Sequence, residues 1–232
     1  LPDVENLLDT LAAIGVYVVR SFGSSDICAA RSRAATEWLE GSTDEQRAVT
    51  TLLWLDSDTQ LDPAGCLRLL AAAEETRGLV TAASPSRSIA RLLPVPQDPR
   101  AEYTLGAWRA PLVPILFAGF GCVAHPVQLL RDMVKASLAP MTDHKWHAFF
   151  LPMLLTEDAE PDAPARYLAE DWAFWFRARH GLKTPCYLAP EHRVIHWGTH
   201  PYSWEDALLP PRSVHSQITL QPITLAQPPD TP

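Results

Sequence analysis

Two acids one residue apart, Asp56 and Asp58, follow the apolar run Val49–Leu55. No Lys or Arg adjoins them, so the two charges repel unless a cation lies between them. Hard Mg²⁺ or Mn²⁺ prefers such oxygen ligands, and an ion held there would in turn hold a diphosphate. The plainer alternative is a polar strand end. A second acidic pair, Glu170-Asp171, opens a segment rich in aromatics (Trp172, Phe174, Trp175, Phe176). Acids suit a helix N-terminus for electrostatic reasons alone. A carboxylate facing a cleft there would also serve as a general base for a hydroxyl. His196, in His196-Trp197-Gly198, closes a late strand, and is read either as a ligand or as a satisfied core or surface imidazole. Ser25-Asp26 precedes a helix carrying Arg31, a partner for a phosphate or for a surface carboxylate.

Some chemistries are disfavoured. A haloacid-type phosphatase also places DxD after a strand, but wants Thr or Val where this chain has Gln60. A nucleotidyltransferase would want a basic, glycine-rich phosphate loop, and none is found. The 232 residues carry 19 Lys plus Arg against 27 Asp plus Glu, a formal charge of −8. That balance disfavours a general nucleic-acid binder. No apolar run approaches the ~20 residues of a membrane span. Cys28, Cys66, Cys122 and Cys186 are far apart and form no CxxC pair. They read as buried free thiols in a reducing compartment, so a cytoplasmic location is expected.

These groups need elements to hold them. Leu7, Leu8, Leu11 and Ile14 recur at helical spacing, Gly15 stops that helix, and Val16–Val19 reads as a strand. A helix follows Ser24-Ser25-Asp26 as far as Leu39, with Ile27, Ala30, Ala34 and Trp38 on one face and Arg31 and Arg33 pointing elsewhere. Val49–Leu55 is nearly all apolar, as in a strand buried on both faces. Asp62-Pro63 is an N-cap and N1 pair opening a helix with Leu67 and Leu70 on one face. Leu79–Ala82 is the next strand. The alternation predicts an α/β, Rossmann-like layer with a mostly parallel sheet. The proline-broken stretch from Ser84 to Pro114 reads as a long surface excursion lying over a site. Strands are expected near Ile115–Ala118, directly after Gly119-Phe120-Gly121, at Thr184–Leu188 and at Arg193–Trp197. Helices are expected after Pro126 and over Glu170–His180, the latter closed by Gly181. Residues 138–168 read as irregular and acidic. Residues 210–232 form a proline-rich tail beyond a domain spanning 1–209.

In order, these segments resemble a GT-A fold glycosyltransferase of the broad family-2-like group, from about Ser24 to Tyr202. SDICAARSRAATEWL looks like the helix before the metal motif, with Ser32 where the family commonly has Asn. LLWLDSDTQLDPAGCLRLL looks like the strand, DXD motif and following helix. FAGFGCVAHPVQLL is similar to the acceptor-side glycine segment. YLAEDWAFWFRARHGLKTPCYLAPEHRVIHWG is similar to the Glu-Asp motif and a late His-x-Gly. The resemblance implies a nucleoside diphosphate sugar donor, Mn²⁺ or Mg²⁺, and a hydroxyl acceptor of unknown identity. Asp58 would ligate the metal and His196 would complete its site. Asp56 would touch the donor ribose or the metal. Asp171, within the catalytic Glu170-Asp171 pair, would be the base, and Ser25, Asp26 and Arg31 would lie near the nucleotide. The family's first nucleotide-binding strand has no equivalent before Leu7. The alternative reading is a non-catalytic GT-A-like module that binds a nucleotide or glycan.

Overall fold

The computed structural model describes residues 2–20, 26–41, 43–85, 94–106, 110–155, 165–192, 194–197 and 201–202. Ser25, Gly198 and the tail from 210 lie outside them. The chain opens with α1 (Pro2–Ala13), which ends in a turn where Gly15 adopts φ +90°, a conformation that favours glycine. Val16–Arg20 has no regular secondary structure and joins no ladder among the described residues, so the strand expected at Val16–Val19 is not formed. Helix α2 (Ile27–Glu40) starts on Asp26, whose Oδ1 accepts from the Cys28 and Ala29 amides. A one-turn helix α3 (Asp44–Ala48) leads into β1 (Thr51–Leu55) and the short β2 (Thr59–Gln60). Asp62 caps α4 (Pro63–Thr76) through Gly65, and Pro63 occupies its first turn as expected. Strands β3 (Leu79–Ala82), β4 (Val95–Pro96), β5 (Val113–Phe117) and β6 (Cys122–Pro126) follow. Then come α5 (Val127–Lys135), the hairpin β7 (Met153–Leu155) and β8 (Arg166–Leu168), and α6 (Glu170–Phe176). A π turn, Arg177–Gly181, extends α6. The last strands are β9 (Cys186–Ala189), β10 (Ile195–Trp197) and β11 (Pro201–Tyr202).

The central sheet has the order β1-β6-β3-β9-β5-β4. Only β3 and β9 pair in parallel; the other four pairings are antiparallel. The expected mostly parallel sheet is therefore corrected to a mostly antiparallel one. Strands β1, β3 and β9 do run in one direction, as the strand–helix–strand pattern implied, but β6 inserts between β1 and β3 and runs against both. Periodicity reports a strand's faces and says nothing about its neighbour. A three-stranded ribbon, β11-β10-β2, stands apart from this sheet.

Alternate residues of the sheet feed two apolar layers. Trp54, Leu79, Val123 and Leu188 face α2, α5 and α6, while Leu53, Val80, Ala124 and Ala189 face α1 and α4. Covering both faces explains why β1 reads as continuously apolar. Because β1 stands at the end of the sheet order, its residues are only half-buried. Burial on α4 falls on Cys66, Leu69, Ala72 and Ala73 rather than on the expected Leu67 face, and Leu67 is exposed. On α5 the buried residues are Val127, Leu129, Leu130 and Met133, with Val134 half-buried. Gly181 does not take a left-handed conformation; Lys183 does, at φ 57°. A side chain at Gly181 would instead meet Leu138 at 2.5 Å, so close packing explains this glycine. The four cysteines are free thiols; Cys66, Cys122 and Cys186 are buried and Cys28 is half-buried. Burial pushes the Cys66 and Cys186 thiols up to about 12. Among the described residues no helix is long and apolar enough to cross a membrane.

One buried polar pair ties the sheet together. Trp54 Nε1 on β1 donates to His125 Nε2 on β6 at 2.8 Å, and His125 Nδ1 lies 2.9 Å from the Pro126 carbonyl. The ring therefore carries its proton on Nδ1 and is neutral. Its burial pushes the pKa down to about 4, below an unfolded value near 6.5. The stability contributed by the neutral ring is thus whole above pH 6.5 and is lost as pH falls from 6.5 towards 4. In urea titrations, His125→Phe should be less stable by about 1–3 kcal/mol at pH 8, because the Trp54 N–H loses its acceptor. The gap to the parent should narrow at pH 4.5. A gap of constant size across that range would show that another group sets the dependence.

Candidate active site

The site forms where β1 ends, and Arg31 is its centre. This residue, on α2, is 7% exposed. Its Nη2 lies 2.8 Å from both Asp56 carboxylate oxygens, and its Nη1 lies 3.7 Å from Glu170 Oε1 at the start of α6. Phe120 and Phe150 flank the guanidinium, their ring centroids 5.4 and 5.8 Å from its carbon. Carboxylates provide the charge and aromatic faces suit a flat, weakly hydrated cation. The DXD strand end and the Glu-Asp segment, 114 residues apart in sequence, are thus held by one side chain.

The polar face of α2 prepares this arrangement. Ser32 Oγ accepts from the Phe150 amide at 3.1 Å, and Thr36 Oγ1 accepts from the His147 amide at 2.8 Å. These bonds fasten residues 147–150, an irregular stretch, and bring Phe150 to Arg31. The buried residues of α2 are Arg31, Ser32, Ala35 and Thr36. That corrects the expected inward face of Ile27, Ala30, Ala34 and Trp38; Ile27 is 42% exposed. The buried stripe is half polar because it serves the site, so hydrophobic periodicity pointed to the wrong side.

Backbone geometry fixes the DXD turn. The Asp56 amide donates to Gly121 O at 2.9 Å, and the Thr59 amide donates to Asp56 O at 3.0 Å. A side chain at Gly121 would meet Thr59 Oγ1 at 3.0 Å and Asp56 Oδ2 at 3.4 Å, so the closeness of this turn accounts for glycine there. The Trp197 amide donates to Asp58 O at 2.7 Å, which seats β10 beside the turn. In register His196 lies opposite Thr59. The His196 Nε2 is 3.6 Å from Asp58 Oδ1, and its Nδ1 is 3.1 Å from the carbonyl of Pro85, just past β3.

Asp171 is partly buried beside this cluster. Burial, and then the neighbouring Glu170 charge, push its carboxyl up to about 6 against the opposing pull of the Trp172 amide and Arg31. The Trp172 amide donates to its Oδ1 at 2.7 Å, and the Trp172 ring stacks on Phe117 at 5.2 Å. Burial, then Glu170 and then Asp26, the exposed cap of α2, raise the Cys28 thiol, which sets that cap near the same charges. Among the described residues, no group of three or more His, Cys, Asp or Glu side chains is arranged to hold a metal ion. Asp58 and His196 are the adjacent pair; Asp56 is engaged by Arg31. Of the expected site residues, Ser25 lies outside the described residues. From the expected lid, Pro85 reaches His196 and β4 pairs with β5, while residues 86–93 and 107–109 lie outside the description. Sequence reasoning missed Phe120, Phe150, Thr59 and the Pro85 carbonyl. Gly119-Phe120-Gly121 was the one signal available for the first.

No family model matches the chain, and no curated protein matches it in sequence. Among solved structures it is similar to A197 from STIV, at a TM-score of 0.54 and 15% identity, over 86% of this chain and 83% of that one. At this identity the likeness concerns the fold alone.

Removing the central cation tests the grip. Arg31→Met should destabilise the chain by about 2–4 kcal/mol, under the fully buried range because Asp56 keeps 30% exposure. It should also move the Asp171 midpoint above about 6, since Arg31 opposes that rise. Carboxyl-carbon NMR titration reads the shift, and an unmoved Asp171 would separate it electrically from Arg31.

Proposed function

We propose that this chain is a metal-dependent glycosyltransferase that moves a sugar from a nucleoside diphosphate sugar to a hydroxyl acceptor. The observation that carries the reading is the Arg31 grip, which brings the Asp56-Ser57-Asp58 turn and Glu170-Asp171 to one place. The order of the motifs along the sequence supports the same choice.

Each side chain then has a task. Asp58 and His196, the adjacent pair among the described residues, would hold Mn²⁺ or Mg²⁺, with diphosphate oxygens and water as its other ligands. The ion would neutralise charge on the departing diphosphate. For that task the imidazole must be neutral, with Nε2 free of its proton and Nδ1–H directed at the Pro85 carbonyl. Asp56, steadied by Arg31, receives the donor ribose, with Asp26 on the nucleotide side. Asp171 takes the acceptor proton as the acceptor oxygen bonds to the anomeric carbon. The bond from that carbon to the diphosphate oxygen breaks, and its electron pair leaves with the diphosphate. A carboxylate at about 6 is largely ionised at neutral pH, yet is a stronger base than an ordinary Asp. Glu170 shares in setting that value.

A panel of nucleoside diphosphate sugars, scored for Mn²⁺-dependent hydrolysis, tests the proposal without the acceptor. The parent should hydrolyse one donor, with the rate climbing as pH rises through about 6 while Asp171 ionises. Asp58→Asn should lose Mn²⁺-dependent nucleotide binding in calorimetry. Asp171→Asn should keep that binding and lose at least ~10²-fold in rate. Hydrolysis of no donor, together with nucleotide binding indifferent to Mn²⁺, would overturn the reading.

A further inference from the structure

The ribbon that carries Asp58 and His196 has a second face. Side chains alternate along a strand, so the facing pair Thr59 and His196 turns one way and the pair Gln60 and Ile195 turns the other. Thr59 and His196 lie on the side of the acidic turn. Gln60 and Ile195 line a separate cleft of about 470 Å³, closed on its far side by α1. This volume falls in the range of small-molecule sites.

The lining has a definite chemistry. Leu7 and Leu61 are buried and give the cleft an apolar floor. Around the floor stand the polar side chains of Asn6, Thr10, Gln60 and Asp62. Three of them are already positioned by neighbours. Gln60 Oε1 accepts from Trp197 Nε1 at 3.2 Å, which directs its two N–H donors elsewhere. Asp62 Oδ1 accepts from the Gly65 amide and its Oδ2 lies 3.4 Å from His192 Nδ1. Thr10 Oγ1 donates to the Asn6 carbonyl and keeps its lone pairs. Asn6, exposed on α1, makes no side-chain hydrogen bond among the described residues. The lining therefore offers carboxamide donors and acceptors, a hydroxyl and a carboxylate acceptor over an apolar floor.

Among the described residues, no Lys or Arg lines the cleft. A phosphate or other anion would meet the Asp62 carboxylate, with no Lys or Arg among the described lining residues to hold it. The ligand that matches is neutral, with many hydroxyls on one side and a C–H face on the other. We infer that this cleft is a second binding site, distinct from the acidic turn, for a neutral sugar unit of a glycan. The inference does not rest on the proposed transfer reaction. It would hold equally for a chain that binds glycans without acting on them.

Saturation-transfer NMR on the full chain, with methyl glucoside, methyl galactoside, methyl mannoside and maltotriose as probes, tests it. At least one probe should receive saturation. Thr10→Trp, which fills the cleft from the exposed face of α1, should abolish the transfer. Asn6→Leu, also on that face, should weaken the affinity about tenfold by removing a paired carboxamide. Far-UV circular dichroism and melting should match the parent for at least one of the two variants, and that variant carries the conclusion. Transfer to none of the probes would overturn the site. So would transfer undiminished in both variants, or cleft resonances that respond to inorganic phosphate and to no sugar. Loss of Mn²⁺-dependent nucleotide binding in Asp58→Asn leaves sugar saturation intact if the two sites are separate, so failure of one proposal is distinguishable from failure of the other.

Discussion

A guanidinium removed from water must be matched by charge, and the site is organised by how that demand is met. Arg31 is nearly buried, yet the cost of its burial is offset by Asp56 on one strand end, Glu170 on a helix start, and two aromatic faces. Each partner comes from a different part of the chain. Breaking any one contact leaves the others with an imperfectly matched charge in a partly dry place. The fold at this corner is therefore specified less by apolar area than by a cation that accepts few other surroundings. The same contacts set the local field, because Glu170 raises Asp171 while Arg31 opposes the rise.

The sheet supplies the frame for this corner. Strand β6 lies between β1 and β3, so Gly121 at its start is brought beside Asp56 and accepts the Asp56 amide. The separate ribbon then folds over the turn, with the Trp197 amide on the Asp58 carbonyl. His196 reaches Asp58 from this ribbon rather than from the main sheet. Its position depends on the two-residue strand Thr59–Gln60, whose brevity hides it from any periodicity argument.

What was legible in the sequence follows from what local chemistry determines. Asp26 and Asp62 were readable as caps because a short acid before a helix has an immediate backbone task. Leu79–Ala82 was readable because both of its faces are covered. Pairing was not readable, since β6 enters the sheet through contacts that no window of sequence contains. The burial of α2 was misread for a sharper reason: Arg31, Ser32 and Thr36 occupy the inward stripe, and pattern reasoning sends such residues outward. The hairpin of β7 and β8 was missed because Leu154 and Tyr167, which face each other across it, are 65% and 66% exposed, and its inward face is short, with Leu168 its one buried residue beside the half-buried Met153, Leu155 and Arg166. At the site, the acids and His196 stood out by type. Phe120 and Phe150 did not, since an aromatic beside a buried cation looks like any other core residue until Arg31 is placed.

The distribution of thiols gives the chain a built-in gauge of its own integrity. Three sulfurs are sealed inside, two of them with ionisation pushed to about 12, whereas Cys28 is half-exposed on the first turn of α2. A maleimide reacts with thiolate that it can reach. The folded chain thus presents one slow target, itself held back by burial, Glu170 and Asp26. Opening the sheet releases three more, so the stoichiometry of alkylation counts opening events. A label on Cys28 alone would sit one helical turn from Arg31 and report on that corner directly.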